Sequence, residues 1–511
     1  MRQDPTQAPE ADASLDPAAS LDPAASLDPA DWPAFRALAH RIVDGGLDHI
    51  QHRRDQPVWR QMPPDQRARW DAPLSEGPAP LDQIWADLSA NLLPYGMGNT
   101  HPRFFGWYMG GSTPSGALAD FLAAIEASNM GGGDTAAAGM DQQVCRWVTA
   151  AMGFPVSASA TLTSGGSMAN LIGLQVARNA MAGVDVRAEG VTNLPQPLVF
   201  YASDEVHSAT QKALEALGLG ARALHVIPTD ADFRMDLTAL AAAVALDRAA
   251  GKKPACVIGT AGTTSTGSID DLPALAAFCA EQGLWFHVDG AIGAILRLSE
   301  THRSLVAGLE HADSLALDLH KWFQAPFECG CAVVRDSQRH FDTFNMHPPY
   351  LQAAERGVAA GPFLGDYGLE LSRSLKALKV WMALREHGSA AFGRLFDHQI
   401  ALAQRLARAI EASRDFELTA PSTINVVCFR HRGHPGMTED QIKTFNIELM
   451  LRLQESGIAS PSDTTIQGRH SLRAAIVNHR CQPQDIDLFV AALHQTGAEL
   501  LAEPQAGSGA A

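Results

Sequence analysis

Leu284-Trp-Phe-His-Val-Asp-Gly-Ala291 and Ser314-Leu-Ala-Leu-Asp-Leu-His-Lys-Trp-Phe323 are short apolar runs that each end on charged residues. Runs of this length bounded by glycine or polar residues read as buried strands. The first delivers Asp289 at its end and the second delivers Lys321, 32 residues further on. A carboxylate at the end of a buried strand is costly without a partner. It caps the next helix, with Gly290 and Ala291 opening that segment, or it pairs with a cation such as a protonated heterocycle nitrogen. A lysine set between an apolar strand and aromatic residues either snorkels to the surface or sits partly buried as a nucleophile towards aldehydes.

Working outward, similar runs occur at Leu198–Tyr201, Ala255–Gly259 and Gly330–Val334, separated by segments of helical periodicity. This alternation over about 120–385 predicts an α/β unit with a mostly parallel sheet flanked by helices. Helical periodicity at 31–52 and 81–94 precedes a Pro/Gly-rich crossing at 95–115, and Lys376–Arg385 reads as part of a long helix leading out of the large unit. The last part reads as a smaller α+β unit, with helices at 390–413, 438–455 and 483–502 and strands at 424–429 and 471–477. The expected division is therefore a tail over 1–30, an N-terminal helical segment over 31–115, a large domain over 116–388, a small domain over 389–500 and a frayed end over 501–511. Residues 14–30 nearly repeat Ser-Leu-Asp-Pro-Ala-Ala three times. Without aromatics, that stretch is too short and polar to stack a core and reads as disordered.

The chain has 511 residues, 46% of them hydrophobic, and a net charge of −17. That charge argues against nucleic acid and anionic lipid as partners, since both need a basic face. Seven cysteines are scattered without a CxxC pair, which argues against a disulfide framework or a structural zinc and leaves no metal site expected. The N-terminus lacks the apolar stretch of a secretory signal and no run reaches transmembrane length, so a cytoplasmic location is expected.

Three further features share the alternating region. Leu162-Thr-Ser-Gly-Gly-Ser-Met-Ala-Asn170 precedes a helical run. Glycines and Ser167 at a helix N-terminus form an anion nest, although a serine cap on a tight turn explains the pattern equally well. His207 follows the strand 198–201, where open α/β sheets bind ligands, but a lone histidine is more often a surface or capping residue. Gly259-Thr-Ala-Gly-Thr-Thr-Ser-Thr-Gly-Ser-Ile-Asp270 carries many hydroxyls and suits a polar ligand or an ordinary turn. Together with Asp289 and Lys321 they describe one cofactor, pyridoxal 5'-phosphate, which needs a lysine for its aldehyde, a carboxylate for its ring nitrogen and a nest for its phosphate.

The chain resembles the group II pyridoxal-dependent decarboxylases of fold type I, and most of all the aromatic-L-amino-acid decarboxylases, from about residue 80 to 495. The resemblance rests on His101-Pro-Arg-Phe-Phe105, the Ser164–Ser167 turn, Ser203–His207, Gly262-Thr-Thr264, His287-Val-Asp289, His320-Lys-Trp322, Pro349-Tyr-Leu351, Leu375-Lys-Ala-Leu-Lys-Val-Trp381 and Leu472-Arg-Ala-Ala-Ile476. It implies an aspartate-aminotransferase-like fold and decarboxylation of an L-amino acid to the amine and CO2. It implies that Lys321 carries the cofactor, Asp289 pairs with its ring nitrogen, Ala291 packs under the ring and His207 stacks above. Gly166 and Ser167, with help from His320, would bind the phosphate, and Thr264 would sit beside the ring. Tyr350 would lie on a mobile loop near 343–366, with Gly357, Gly361 and Gly365 lending flexibility, and would protonate the substrate's α-carbon. The resemblance also implies a homodimer with a shared active site, the 80–130 segment at its interface and Met130–Thr135 reaching into the neighbouring site.

There are departures from the family pattern. Asp318 replaces a phosphate-contacting asparagine, and so must be turned away, protonated or bridged. An ungapped alignment turns a wall tryptophan into Asn99, a phenylalanine into Gly132 and a substrate-contacting threonine into Gly110, which implies a roomier pocket partly refilled by Trp107 and Tyr108. Competing functions are an aldehyde synthase, an aminotransferase or other carbon–carbon lyase, and a non-catalytic pyridoxal-phosphate-binding protein. An aminotransferase needs an arginine for the substrate carboxylate, and Arg473, on an apolar strand, reads better as structural.

Overall fold

The computed structural model describes residues 26–75, 77–346 and 354–503. Most of the repeat-bearing tail, Tyr350 and the last eight residues lie outside them. Seven strands form the larger sheet: β1 (Ser159–Thr163), β2 (Leu198–Ser203), β3 (Leu224–Ile227), β4 (Lys253–Thr260), β5 (Trp285–Asp289), β6 (Ser314–Asp318) and β7 (Gly330–Val334). Their order is β1-β7-β6-β5-β4-β2-β3. β7 runs antiparallel to both neighbours, and the remaining pairs are parallel.

The central strands are continuous apolar runs because both faces are covered. Along β4, Cys256 and Ile258 pack with Leu174 and Val176 of the helix Gly166–Met181, whereas Val257 packs with Leu240, Val244, Leu272 and Leu275 of the helices Leu237–Ala249 and Leu272–Gln282. The period of two along the strand thus sorts its side chains into two layers. Asp236 and Asp271 cap the latter helices through backbone N–H groups of their first turns, which fixes where each helix leaves its loop.

A second, fully antiparallel sheet has the order β10-β11-β9-β8, with β8 (Phe416–Leu418), β9 (Val426–His431), β10 (Ser462–Ile466) and β11 (Arg469–Ala475). Helices Ser389–Ala412, Glu439–Glu455 and Pro483–Ala502 build a separate apolar cluster with it around Phe416, Phe429, Leu449 and Phe489. The helical run expected from Lys376 is interrupted. The helix Ala377–His387 stops at Gly388, whose φ of 75° breaks the ladder, and the next helix restarts at Ser389.

The N-terminal helix Trp32–Gln51 starts on the Asp31 carboxylate, which accepts from Ala34 N–H at 3.0 Å. Beyond it, Arg54 and Arg103 both reach the buried Asp485, at 2.7 and 3.2 Å, and so pin this segment to the start of the last helix. Among the described residues no helix is long and apolar enough to cross a membrane.

Candidate active site

β1, β2, β4, β5 and β6 all point the same way, so the loops leaving their ends converge. They enclose a cavity of about 460 Å³ lined by Ser164–Met168, Glu205 and His207, Thr260, Gly262 and Thr264, Asp289, Ala291 and Ile292, and Asp318, His320 and Lys321. This is the strand-end crevice where open α/β sheets take ligands.

The glycine turn after β1 is tight because backbone and carboxylate crowd it. A Cβ on Gly166 would come within 2.7 Å of Asp318 Oδ2, and one on Gly330 within 2.6 Å of the Gly165 backbone. The helix beginning at Gly166 turns its N-terminal end, the positive end of its dipole, towards the cavity. The turn is anchored from behind. Asn170 Nδ2 donates to the Gly166 carbonyl at 2.9 Å, and Asn170 Oδ1 accepts from His287 Nε2 at 2.8 Å. His287 Nδ1 in turn accepts from the Ser314 hydroxyl at 2.7 Å. Full burial pushes the His287 pKa down to about 3, so the ring stays neutral with its hydrogen on Nε2.

Asp289, buried at the end of β5, accepts from the Ala291 N–H at 3.2 Å through Oδ1. It therefore serves as a local cap and lines the cavity too. His207 caps the helix Ser208–Ala216, its Nδ1 accepting from Ala209 N–H at 3.2 Å, which leaves the hydrogen on Nε2. Burial lowers the His207 pKa, opposed by the nearby Asp289 carboxylate. His320 Nδ1 accepts from Cys329 N–H at 3.1 Å, and its ring lies 4.3 Å from that of Phe327. Burial lowers the His320 pKa as well. Lys321 Nζ is 2.8 Å from Asp318 Oδ2, and Asp318 Oδ1 accepts from the Gly166 N–H at 2.5 Å. Of the three options open for Asp318, the geometry is the bridged one.

Gly166, Ser167, His207, Thr264, Asp289, Ala291, Asp318, His320 and Lys321 thus line one cavity. Sequence reasoning missed Asn170, Glu205, Phe327 and Glu328. Glu205 stands two residues before His207 on the same loop and carried that signal. Phe327 and Glu328 arrive by a loop that folds back after Lys321 and had none.

The three positions expected to widen the pocket lie away from this chain's own cavity wall. Asn99, Gly110 and Gly132 are absent from the cavity wall among the described residues. Asn99 Nδ2 donates to the Gly110 carbonyl at 2.9 Å. A Cβ on Gly110 would lie 2.5 Å from the His320 and Lys321 carbonyl oxygens, and one on Gly132 2.5 Å from the Pro362 carbonyl oxygen. Gly132 also has a φ of 144°, which disfavours any side chain. Here the missing side chains make room for neighbouring backbone. Nor does Tyr108 refill the pocket: it is buried and donates to Asn425 Oδ1 at 2.8 Å. Part of the expected lid is docked: Gly133 N–H donates to the Pro362 carbonyl, Asp134 N–H to the Val358 carbonyl and Gly365 N–H to the Gly131 carbonyl, whereas Gly357 is exposed with open space around it. Arg473 is buried, donating to the Trp107 and Ser265 carbonyls at 2.7 and 3.2 Å, in keeping with a structural role.

The family model described as "Pyridoxal-dependent decarboxylase conserved domain" matches residues 63–432. The chain is 33% identical over 458 residues to an aromatic-L-amino-acid decarboxylase of Bacillus atrophaeus, a match covering 88% of this chain and 93% of that protein. It is 30% identical over 464 residues to a phenylacetaldehyde synthase of Arabidopsis thaliana, covering 87% and 92%. The crystal structure of Oryza sativa TDC with PLP and tryptamine superimposes with a TM-score of 0.85 at 25% identity, covering 93% of this chain and all of that one.

Proposed function

Because this chain belongs to the pyridoxal-dependent decarboxylase family, we propose that it converts an aromatic L-amino acid to the corresponding amine and CO2. It is a pyridoxal-phosphate-dependent amino-acid decarboxylase. The observation that carries the reading is the convergence of Lys321, Asp289 and the Gly165–Gly166 turn on one cavity.

The residues fit the cofactor. Lys321 is the one lysine of the cavity wall among the described residues, Asp289 supplies a buried carboxylate, and the helix start at Gly166 with Ser164 and Ser167 supplies an anion nest. Pyridoxal phosphate supplies an aldehyde for an amine and a protonated ring that takes up the electron pair left when CO2 departs. Lys321 would hold the cofactor through its aldehyde. Asp289 would pair with the ring nitrogen and keep it protonated, and its burial would strengthen that pairing. His207 presents a neutral ring with its proton on Nε2, a flat face with a donor at its edge. Ile292 and Phe327 add apolar surface to the cavity wall. Tyr350 is our choice for the proton delivered to the α-carbon. Its hydroxyl favours the amine over an aldehyde, the product named for the Arabidopsis relative.

We also propose a homodimer with a shared active site. Leu118, Phe121, Leu122 and Ile125 are exposed along the helix Pro114–Glu126, as are Leu81 and Ile84 on the helix Leu81–Asn91, and such surface is rarely left in water. A cytoplasmic location agrees with seven buried, free cysteines. The test is a screen of L-amino acids with the purified holoenzyme, following CO2, amine, aldehyde and peroxide together. Equimolar CO2 and amine from an aromatic substrate is expected. Release of CO2 only from non-aromatic amino acids, or with aldehyde and peroxide, would contradict the proposal.

A further inference from the structure

One carboxylate in the cavity already holds the two groups that the cofactor requires. Asp318 Oδ1 accepts the Gly166 N–H of the anion nest at 2.5 Å, while Oδ2 lies 2.8 Å from the Lys321 amine. His320 Nε2 is 3.5 Å from Oδ1. The Asp318 side chain is 4% exposed, so its charge is poorly screened by water. Asp318 closes β6 opposite Gly330 of β7, and Gly330 is itself packed on the Gly165 backbone. A phosphate seated at this helix start would therefore lie beside that carboxylate and compete with it for the Gly166 N–H.

We propose that Asp318 is an internal competitor of the cofactor's phosphate: it weakens cofactor binding and speeds cofactor exchange. When the cofactor leaves, the same carboxylate takes the Gly166 N–H and the Lys321 ammonium, so neither is stranded in a buried site. When the cofactor binds, both contacts must be given up, and a like charge is left next to the phosphate. An asparagine at this position keeps an acceptor for Gly166, adds a donor for the phosphate and removes the repulsion. The inference rests on the cofactor assignment and not on the identity of the substrate.

The test is equilibrium binding to the full chain freed of cofactor, comparing pyridoxal phosphate with pyridoxal, which lacks the phosphate. Asp318→Asn is expected to tighten pyridoxal phosphate by about tenfold, the equivalent of one charge-assisted hydrogen bond. Pyridoxal should change much less, because only the Lys321 contact is altered for it. Release of bound cofactor into a scavenging apoprotein should slow in proportion. Asp318→Ala removes the charge without adding a donor; it should also favour the phosphorylated ligand, and it serves if the asparagine variant does not fold. Equal tightening of both ligands would overturn the proposal by confining Asp318 to Lys321. Weaker binding of pyridoxal phosphate would overturn it by making Asp318 a phosphate ligand. Failure of the wild-type chain to bind pyridoxal phosphate at all would instead strike at the cofactor assignment.

Discussion

His287 Nε2 lies 2.8 Å from Asn170 Oδ1, which ties a strand of the sheet to the first turn of the helix that opens the anion nest. Neither residue is a reactive group, although Asn170 lines the cavity. Their bond, continued by Asn170 Nδ2 to the Gly166 carbonyl, holds the nest at a fixed height above the strand ends.

That arrangement has a pH signature. His287 has its pKa depressed from 6.5 to about 3 by burial. The unfolded chain therefore takes up its proton first as pH falls. The stabilising contribution is complete above about pH 6.5 and is lost progressively below it, by about 2 kcal/mol at pH 5 for this one ring. Denaturant unfolding of wild type and His287→Asn at pH 7.5 and pH 5 measures it. The variant should be weaker at pH 7.5, but its loss between the two pH values should be smaller by about that amount. Identical pH dependence would mean that His287 is not held neutral.

Gly132 separates two accounts of the pocket. If the residue left space for substrate, Gly132→Phe would shift selectivity towards small aromatic substrates. With the Cβ position 2.5 Å from the Pro362 carbonyl oxygen and a φ of 144°, we expect loss of at least about 2 kcal/mol of stability instead. Thermal unfolding of the variant decides it: an unchanged melting temperature with altered kcat/KM ratios would restore the pocket reading.

Asp289→Asn tests the ring-nitrogen contact. The Ala291 N–H retains an acceptor, so the turn should survive. The cofactor should still bind, while kcat falls by at least about 100-fold, because a neutral ring is a poorer electron sink. Wild-type turnover would remove Asp289 from the chemistry.

Much of the large sheet was legible because β2, β4, β5, β6 and β7 are apolar runs with turn residues at their ends. β1 and β10, Ser-Ala-Thr-Leu-Thr and Ser-Asp-Thr-Thr-Ile, were not, since their polar side chains mask the strand pattern and pairing with a neighbour supplies the stability. β3 and β8 are too short for any periodicity to show. The cavity residues were legible as motifs because each follows directly on a strand. The sequence was least informative at glycines. A sequence shows that a side chain is missing, but not what occupies its place, and at Gly110, Gly132 and Gly361 the occupant is neighbouring backbone.

Tyr350 is the residue proposed to govern the product. A phenol that protonates the α-carbon competes with oxygen for the same carbon, and general acid catalysis is typically worth about 10²- to 10⁴-fold. Tyr350→Phe removes only the hydroxyl. Amine yield should collapse while oxygen uptake, aldehyde and peroxide rise. Amine formed at the wild-type rate without peroxide would show that another group is the acid.

The central claim is that Lys321 carries the cofactor. Borohydride reduction of the holoenzyme, followed by proteolysis and peptide mass spectrometry, locates the attachment directly. The account predicts a pyridoxyl group on the peptide containing His320-Lys321-Trp322, lost in Lys321→Ala together with the visible absorbance. A pyridoxyl group on any other lysine, or a reducible adduct that persists in Lys321→Ala, would contradict it.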